Sequence, residues 1–157
     1  MPLPGRTGLP RPGRVARLPL SARLSLSAVE LVTQARRTLA EAAEQACPAD
    51  RYAAAHLAAL RGAAAMLAAR AHPADAPVRR RPTSAWVLLT SIAPELGEWA
   101  AFFAAGSRKR AAAEAGSPYA VSPRDADDLV RDVGTFLAVV ETSLGVIRSP
   151  VAVASAG

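Results

Sequence analysis

One cysteine, two histidines and a single lysine are all that this 157-residue chain offers of those three residue types. A lone Cys47 excludes an intrachain disulfide and any four-cysteine zinc site, and suits a reducing compartment. With His56 and His72 as the only histidines, and no Glu-x-x-His pair, neither a di-metal carboxylate bundle nor a transition-metal centre finds its ligands. No metal and no cofactor is expected. The Gly-x-Ser-x-Gly elbow and the glycine-rich phosphate fingerprints are missing too, which removes serine hydrolysis and nucleotide cradles of those types. Long apolar runs are also lacking. Pro10, Pro12, Gly13 and Pro19 break the N-terminal stretch below what a signal sequence needs, and Arg, Glu or Pro interrupts every candidate for the roughly 18 apolar residues of a membrane span. The expectation is a cytoplasmic protein with no membrane partner.

Isoleucine occurs only at Ile92 and Ile147, whereas alanine fills 38 positions, a bias that favours helix and starves β-sheet. The fold class expected is all-α: a four-to-five-helix bundle, up-and-down, with a third helix kinked near Pro94. Residues 1–26 mix Pro, Gly and Arg without a period and read as a disordered basic arm. Ser27-Ala-Val-Glu30 has the form of a capping box and predicts the first helix start, with Leu31, Ala35, Leu39 and Ala42 as its apolar stripe up to Cys47-Pro48. Pro48 and Asp50 suit the first turn of a second helix running to about Ala71, with Tyr52, His56, Ala59 and Ala63 on one flank and Gly62 allowing a close neighbour. Three prolines between His72 and Pro82 mark a loop. Thr83-Ser84 caps a third helix with Trp86 and Leu89; beyond Pro94 come Leu96, Trp99 and Phe103, and both tryptophans read as core anchors. An alanine-rich turn is expected to follow Arg108-Lys109-Arg110. Ser122-Pro123-Arg124-Asp125 opens the last helix, striped by Leu129, Val133, Phe136, Val140 and Leu144 and stopped by Gly145. The domain is thus 27–144, and 145–157 a flexible tail.

A sequence pI near 10.9 invites a nucleic-acid partner. Its location argues otherwise. Arg6, Arg11, Arg14, Arg17, Arg23 and Arg148 account for the whole net charge of +6, so residues 27–144 balance 13 basic against 13 acidic residues. The arm reads either as an electrostatic tether to RNA, DNA or an acidic surface, or as an unselected extension.

Arg51 and His56 form the one Arg-x4-His pattern. Five positions rotate them about 140° apart on a helix, so they converge only at a groove shared with a partner. In that setting the arginine holds a scissile RNA phosphate and the imidazole moves a proton. The competing and preferred reading is a buried or interfacial histidine bonded to a neighbouring helix, with Arg51 solvated in the first turn. Two further basic clusters, Arg79-Arg80-Arg81 and Arg108-Lys109-Arg110, are the candidate nucleic-acid contacts; the alternative is that Glu95, Glu98, Glu114 and the Asp125-Asp127-Asp128 cluster compensate them. No aromatic residue is interleaved for base stacking.

Tyr52-Ala-Ala-Ala-His56-Leu-Ala-Ala-Leu-Arg61-Gly-Ala-Ala-Ala-Met66, Ser84-Ala-Trp86-Val-Leu-Leu89, Pro94-Glu95-Leu96-Gly-Glu98-Trp99-Ala-Ala-Phe102-Phe103 and Asp127-Asp128-Leu-Val-Arg131, in this order and spacing, resemble an actinobacterial HEPN-domain family of small helical proteins. The resemblance covers about residues 27–144. It implies a bundle of four or more helices that often dimerises, in a family whose members act as ribonucleases, toxins, or nucleotide- or RNA-associated modules. Nucleolytic members carry Arg-x4-6-His on a late helix at the dimer interface. Here the last helix reads Arg131-Asp-Val-Gly-Thr-Phe136, and no histidine follows His72. The expectation is therefore a homodimeric HEPN-like interaction or nucleic-acid-associated module, with RNA or a protein as partner and without catalysis. The alternative is a metal-independent, toxin-like RNA endonuclease using Arg51 and His56 at a dimer interface.

Overall fold

Alanine sets the spacing of the bundle. Ala35, Ala42, Ala55, Ala58, Ala59, Ala63 and Ala65 are fully buried, so the helices that carry them approach with almost no side chain between the backbones. The computed structural model describes residues 20–70 and 84–146, and every regular element among them is helical. These are α1 (Leu20–Ala43), α2 (Pro48–Arg70), α3 (Ala85–Ile92), α4 (Gly97–Ala105), α5 (Ser107–Glu114) and α6 (Pro123–Leu144), with a 3-10 turn at Pro94–Leu96. The all-α expectation holds. The central element is α2, which packs most extensively on α1 and α6 and also touches α3 and α5.

Pro94 makes the expected break in the third helical region. Its ring has no N–H to donate, so α3 closes with the Ala93 N–H on the Leu89 carbonyl at 2.7 Å, and the chain restarts through the 3-10 turn into α4. The start of α6 is also as read: the Ser122 hydroxyl accepts from the Asp125 N–H at 3.0 Å, while the Asp125 carboxylate accepts from the Ser122 N–H at 3.0 Å. Gly145, at φ 70, closes it in the left-handed region.

Two expectations are corrected. Helix α1 begins at Leu20, so Ser27 to Glu30 lies inside it and the last residues of the 1–26 arm are helical. The reason is local: Leu20 to Leu26 contains neither Pro nor Gly, so nothing stops the helix extending back to Pro19. Residues 107–114, read as a charged run leading into a turn, form α5, supported by Ala111 to Ala113 and by Arg110 bonding Glu114 at 2.9 Å one turn on. The rest of the arm, the loop at 72–82 with Arg79, Arg80 and Arg81, and nearly all of the 145–157 tail lie outside the described residues.

Aromatic side chains are scarce, and five of the seven gather at one end of the core. Trp86 stacks on Phe103 with centroids 4.9 Å apart, Phe103 meets Phe136 edge-on at 5.1 Å, and Trp99 lies 5.6 Å from Phe136. Both tryptophans are core anchors as expected, although Trp99 is only partly buried. Long-range ion pairs hold the remaining faces together. The Arg36 guanidinium grips both oxygens of the buried Glu141 at 2.6 and 3.0 Å, tying α1 to α6. Arg61 bonds Thr38 across α2 and α1, and Arg70 pairs with Glu95 beside the 3-10 turn. Among the described residues one helix, α2, is long and apolar enough to cross a membrane, with a mean hydropathy of 1.2. Half of that stretch is buried inside the bundle.

Candidate functional site

Tyr52 and His56 stand four residues apart on α2, hence on one face, and that face looks into the corner made by α4, α5 and α6. His56 is 1% exposed. Its Nε2 lies 3.1 Å from the Phe103 carbonyl oxygen, which only accepts, so Nε2 carries the proton and Nδ1 keeps its lone pair. Nδ1 has no partner among the described residues. The ring edge meets Trp86 at 5.8 Å and Phe103 at 6.0 Å, both nearly perpendicular. Burial pushes the imidazole below its ordinary 6.5, against the opposing pull of the Phe103 carbonyl, and the Arg110 charge adds to the lowering. The group is a neutral, single-tautomer ring in the core.

Arg51 points elsewhere. Its guanidinium pairs with Asp127 of α6, and its Nε donates to the Gln45 carbonyl at 3.0 Å, so it clamps the α1–α2 connection to α6. The described residues show no hydrogen bond between Arg51 and His56, and within one subunit the two do not converge. On α5, Lys109 lies 3.3 Å from Asp125 and Arg110 bonds Glu114, while Arg108 is exposed with no ion pair among the described residues.

What the fold does assemble is a cleft. A cavity of about 270 Å³ is lined by Tyr52, His56, Phe102, Gly106, Lys109 and Leu129. A neighbouring space of about 280 Å³ shares Tyr52, Phe102, Lys109 and Leu129 and adds Asp125, Asp128 and Asp132 from α6. Burial, and then the negative charge of Asp125, raise the Tyr52 phenol above its ordinary 10.0 and keep it protonated. Phe102, beside the buried Phe103, is 46% exposed and forms part of the wall. Gly106 keeps the wall open, since a Cβ there would stand 3.0 Å from the Tyr52 hydroxyl. Of these residues the sequence singles out His56 as a weak catalytic candidate, Lys109 as a nucleic-acid candidate and Asp125 and Asp128 as charge compensation, and it gives Asp132 no role. A signal was present: Asp125, Asp128, Leu129 and Asp132 recur at helical spacing on one face of α6, but nothing local shows that this face borders the Tyr52–His56 face of α2.

A protein-family model described as SAV_6107-like HEPN matches residues 42–141, well over half of the chain. The chain belongs to this HEPN family. No curated protein and no solved structure matches it. The matched span ends within α6, the late helix on which the HEPN resemblance leads one to look for Arg-x4-6-His. Counting from Arg131, the three admissible spacings fall on Phe136, Leu137 and Ala138. Phe136 and Leu137 are fully buried, and Ala138 is exposed on the same helical face as Arg131. None of the three carries a ring nitrogen.

Proposed function

We propose that this HEPN protein works by binding rather than by catalysis, as a homodimeric, cytoplasmic interaction module. The observation that carries the reading is Phe136, fully buried against Trp99 and Phe103 where the shortest form of the ribonuclease motif needs a histidine. A proton-transfer residue has to reach substrate, and this position faces inward. His56 supplies no substitute within the subunit, because its Nε2–H is committed to a backbone carbonyl and the ring is shut away from water.

Support for self-association comes from the outer face of α6. Thr135, Ala138, Val139, Thr142 and Ser143 border a shallow, mostly apolar groove that lets a second helix approach closely. The formally balanced body, with two of the three α5 cations paired, favours a protein surface over a nucleic-acid backbone as the partner.

Two measurements test this. Light scattering on the full chain at micromolar concentration gives a dimer, which Ala138→Arg converts to monomer; a monomeric wild type contradicts the dimer. Incubation with structured RNA without added metal leaves the RNA intact. Cleavage that disappears in His56→Gln establishes the endonuclease alternative instead.

A further inference from the structure

We propose that the cleft between α2, α4 and α6 is a binding site for a small organic cation carrying an aromatic body, of the arylalkylamine class.

The inner chamber is shaped for a flat apolar group. Its walls are Tyr52, Phe102, Phe103 and Leu129, and its volume of about 270 Å³ exceeds the ~150 Å³ known to admit a benzene ring, leaving room for one or two fused rings.

The mouth selects charge. Three carboxylates, Asp125, Asp128 and Asp132, line it against a single lysine, Lys109. Asp125 is engaged by Lys109 at 3.3 Å and by the α6 cap, and Asp128 by Arg131 at 2.8 Å and Arg124 at 3.7 Å. Asp132 makes no ion pair among the described residues and is only partly exposed. An ammonium group at the mouth meets the free Asp132 carboxylate and lies near the Phe102 and Tyr52 rings, whose faces also attract cations. An anion in the same place is repelled by Asp132, while Lys109, Arg124 and Arg131 are already paired with Asp125 and Asp128.

The test is titration of the full chain with tryptamine, which joins an alkylammonium to an indole N–H, followed by calorimetry and by amide shift mapping. Expected are binding in the micromolar-to-millimolar range, shifts centred on Tyr52, Phe102 and Leu129, and a loss of affinity of about tenfold or more in Asp132→Asn. Indole-3-propionate, of matching ring but opposite charge, binds at least about tenfold more weakly. Absence of tryptamine binding up to millimolar concentration, equal binding of the acid, unchanged affinity in Asp132→Asn, or shifts located away from the cleft would each overturn the proposal.

Discussion

Glu141 is a carboxylate held almost out of contact with water, its side chain 7% exposed, and both of its oxygens are spoken for by Arg36. Such a pair is tolerated because the guanidinium fork returns in hydrogen bonds what desolvation takes away. Removing one partner strands the other. Arg36→Met is expected to lower stability by about 3 kcal/mol or more, while the double variant Arg36→Met/Glu141→Leu recovers most of that loss; urea unfolding of the three proteins checks both figures. His56 gives the second residue-scale expectation. Its native pKa is depressed, so the unfolded chain takes up a proton that the native ring refuses. The associated stability is complete above about pH 6.5 and is lost as pH falls from there toward the depressed native value, with a slope of at most about 1.4 kcal/mol per pH unit. His56→Gln is expected to be less stable at neutral pH yet to show a flatter profile between pH 5 and 6.5, as read by thermal unfolding across that range. At this scale the sequence was only half legible. The Tyr52–His56 spacing is visible on the page, but the partners of Arg51 and Arg36 lie 76 and 105 positions away and no local pattern announces them.

Among the elements, α6 declares both of its ends. A serine, a proline and an aspartate in the right order fix the start, and Gly145 fixes the stop, because each acts on backbone groups within a few residues. The start of α1 is less legible, since Ser27 and Glu30 have the correct types while the upstream segment, free of Pro and Gly, lets the helix continue through them. Helix α5 was missed because a run of three cations followed by alanines has no apolar stripe to announce a helix, and Glu114 was weighed only as charge compensation and not as the i,i+4 partner of Arg110. Gly62 marks a close neighbour in the sequence without naming it, and in the fold that neighbour is α6. A Cβ at this position would fall 2.5 Å from a Leu137 methyl and 3.1 Å from the Phe136 ring, both in the core. Gly62→Val is accordingly expected to lower stability by about 2–3 kcal/mol through overpacking. Gly62→Ala should do less, because the Leu137 methyl can yield and alanine gains about 1 kcal/mol in helix propensity. Denaturant midpoints of the two variants, compared with wild type, give the order.

For the whole molecule, the HEPN assignment and the all-α class were legible because they rest on long alanine-rich periods and on the spacing of a few large residues. The cleft was not, because it exists only where faces of α2, α4 and α6 meet across the bundle. Composition misleads on charge: a pI near 10.9 suggests a uniformly basic surface, while residues 27–144 are balanced and, among the described residues, Arg36, Arg51, Arg70 and Lys109 pair with carboxylates of other elements. The aromatic cluster supports the proposed binding role, since Phe136 takes the place where the shortest ribonuclease motif needs a histidine and Trp86 and Phe103 pack edge-on against His56. The measurement that bears most directly on this account is nitrogen-detected NMR of the His56 ring in the full chain from pH 8 down to pH 5. A ring that stays neutral, with the proton on Nε2 and slow exchange with water, is the predicted result. A ring that titrates near pH 6.5 in fast exchange with solvent would contradict it and return His56 to the list of groups able to move a proton on RNA.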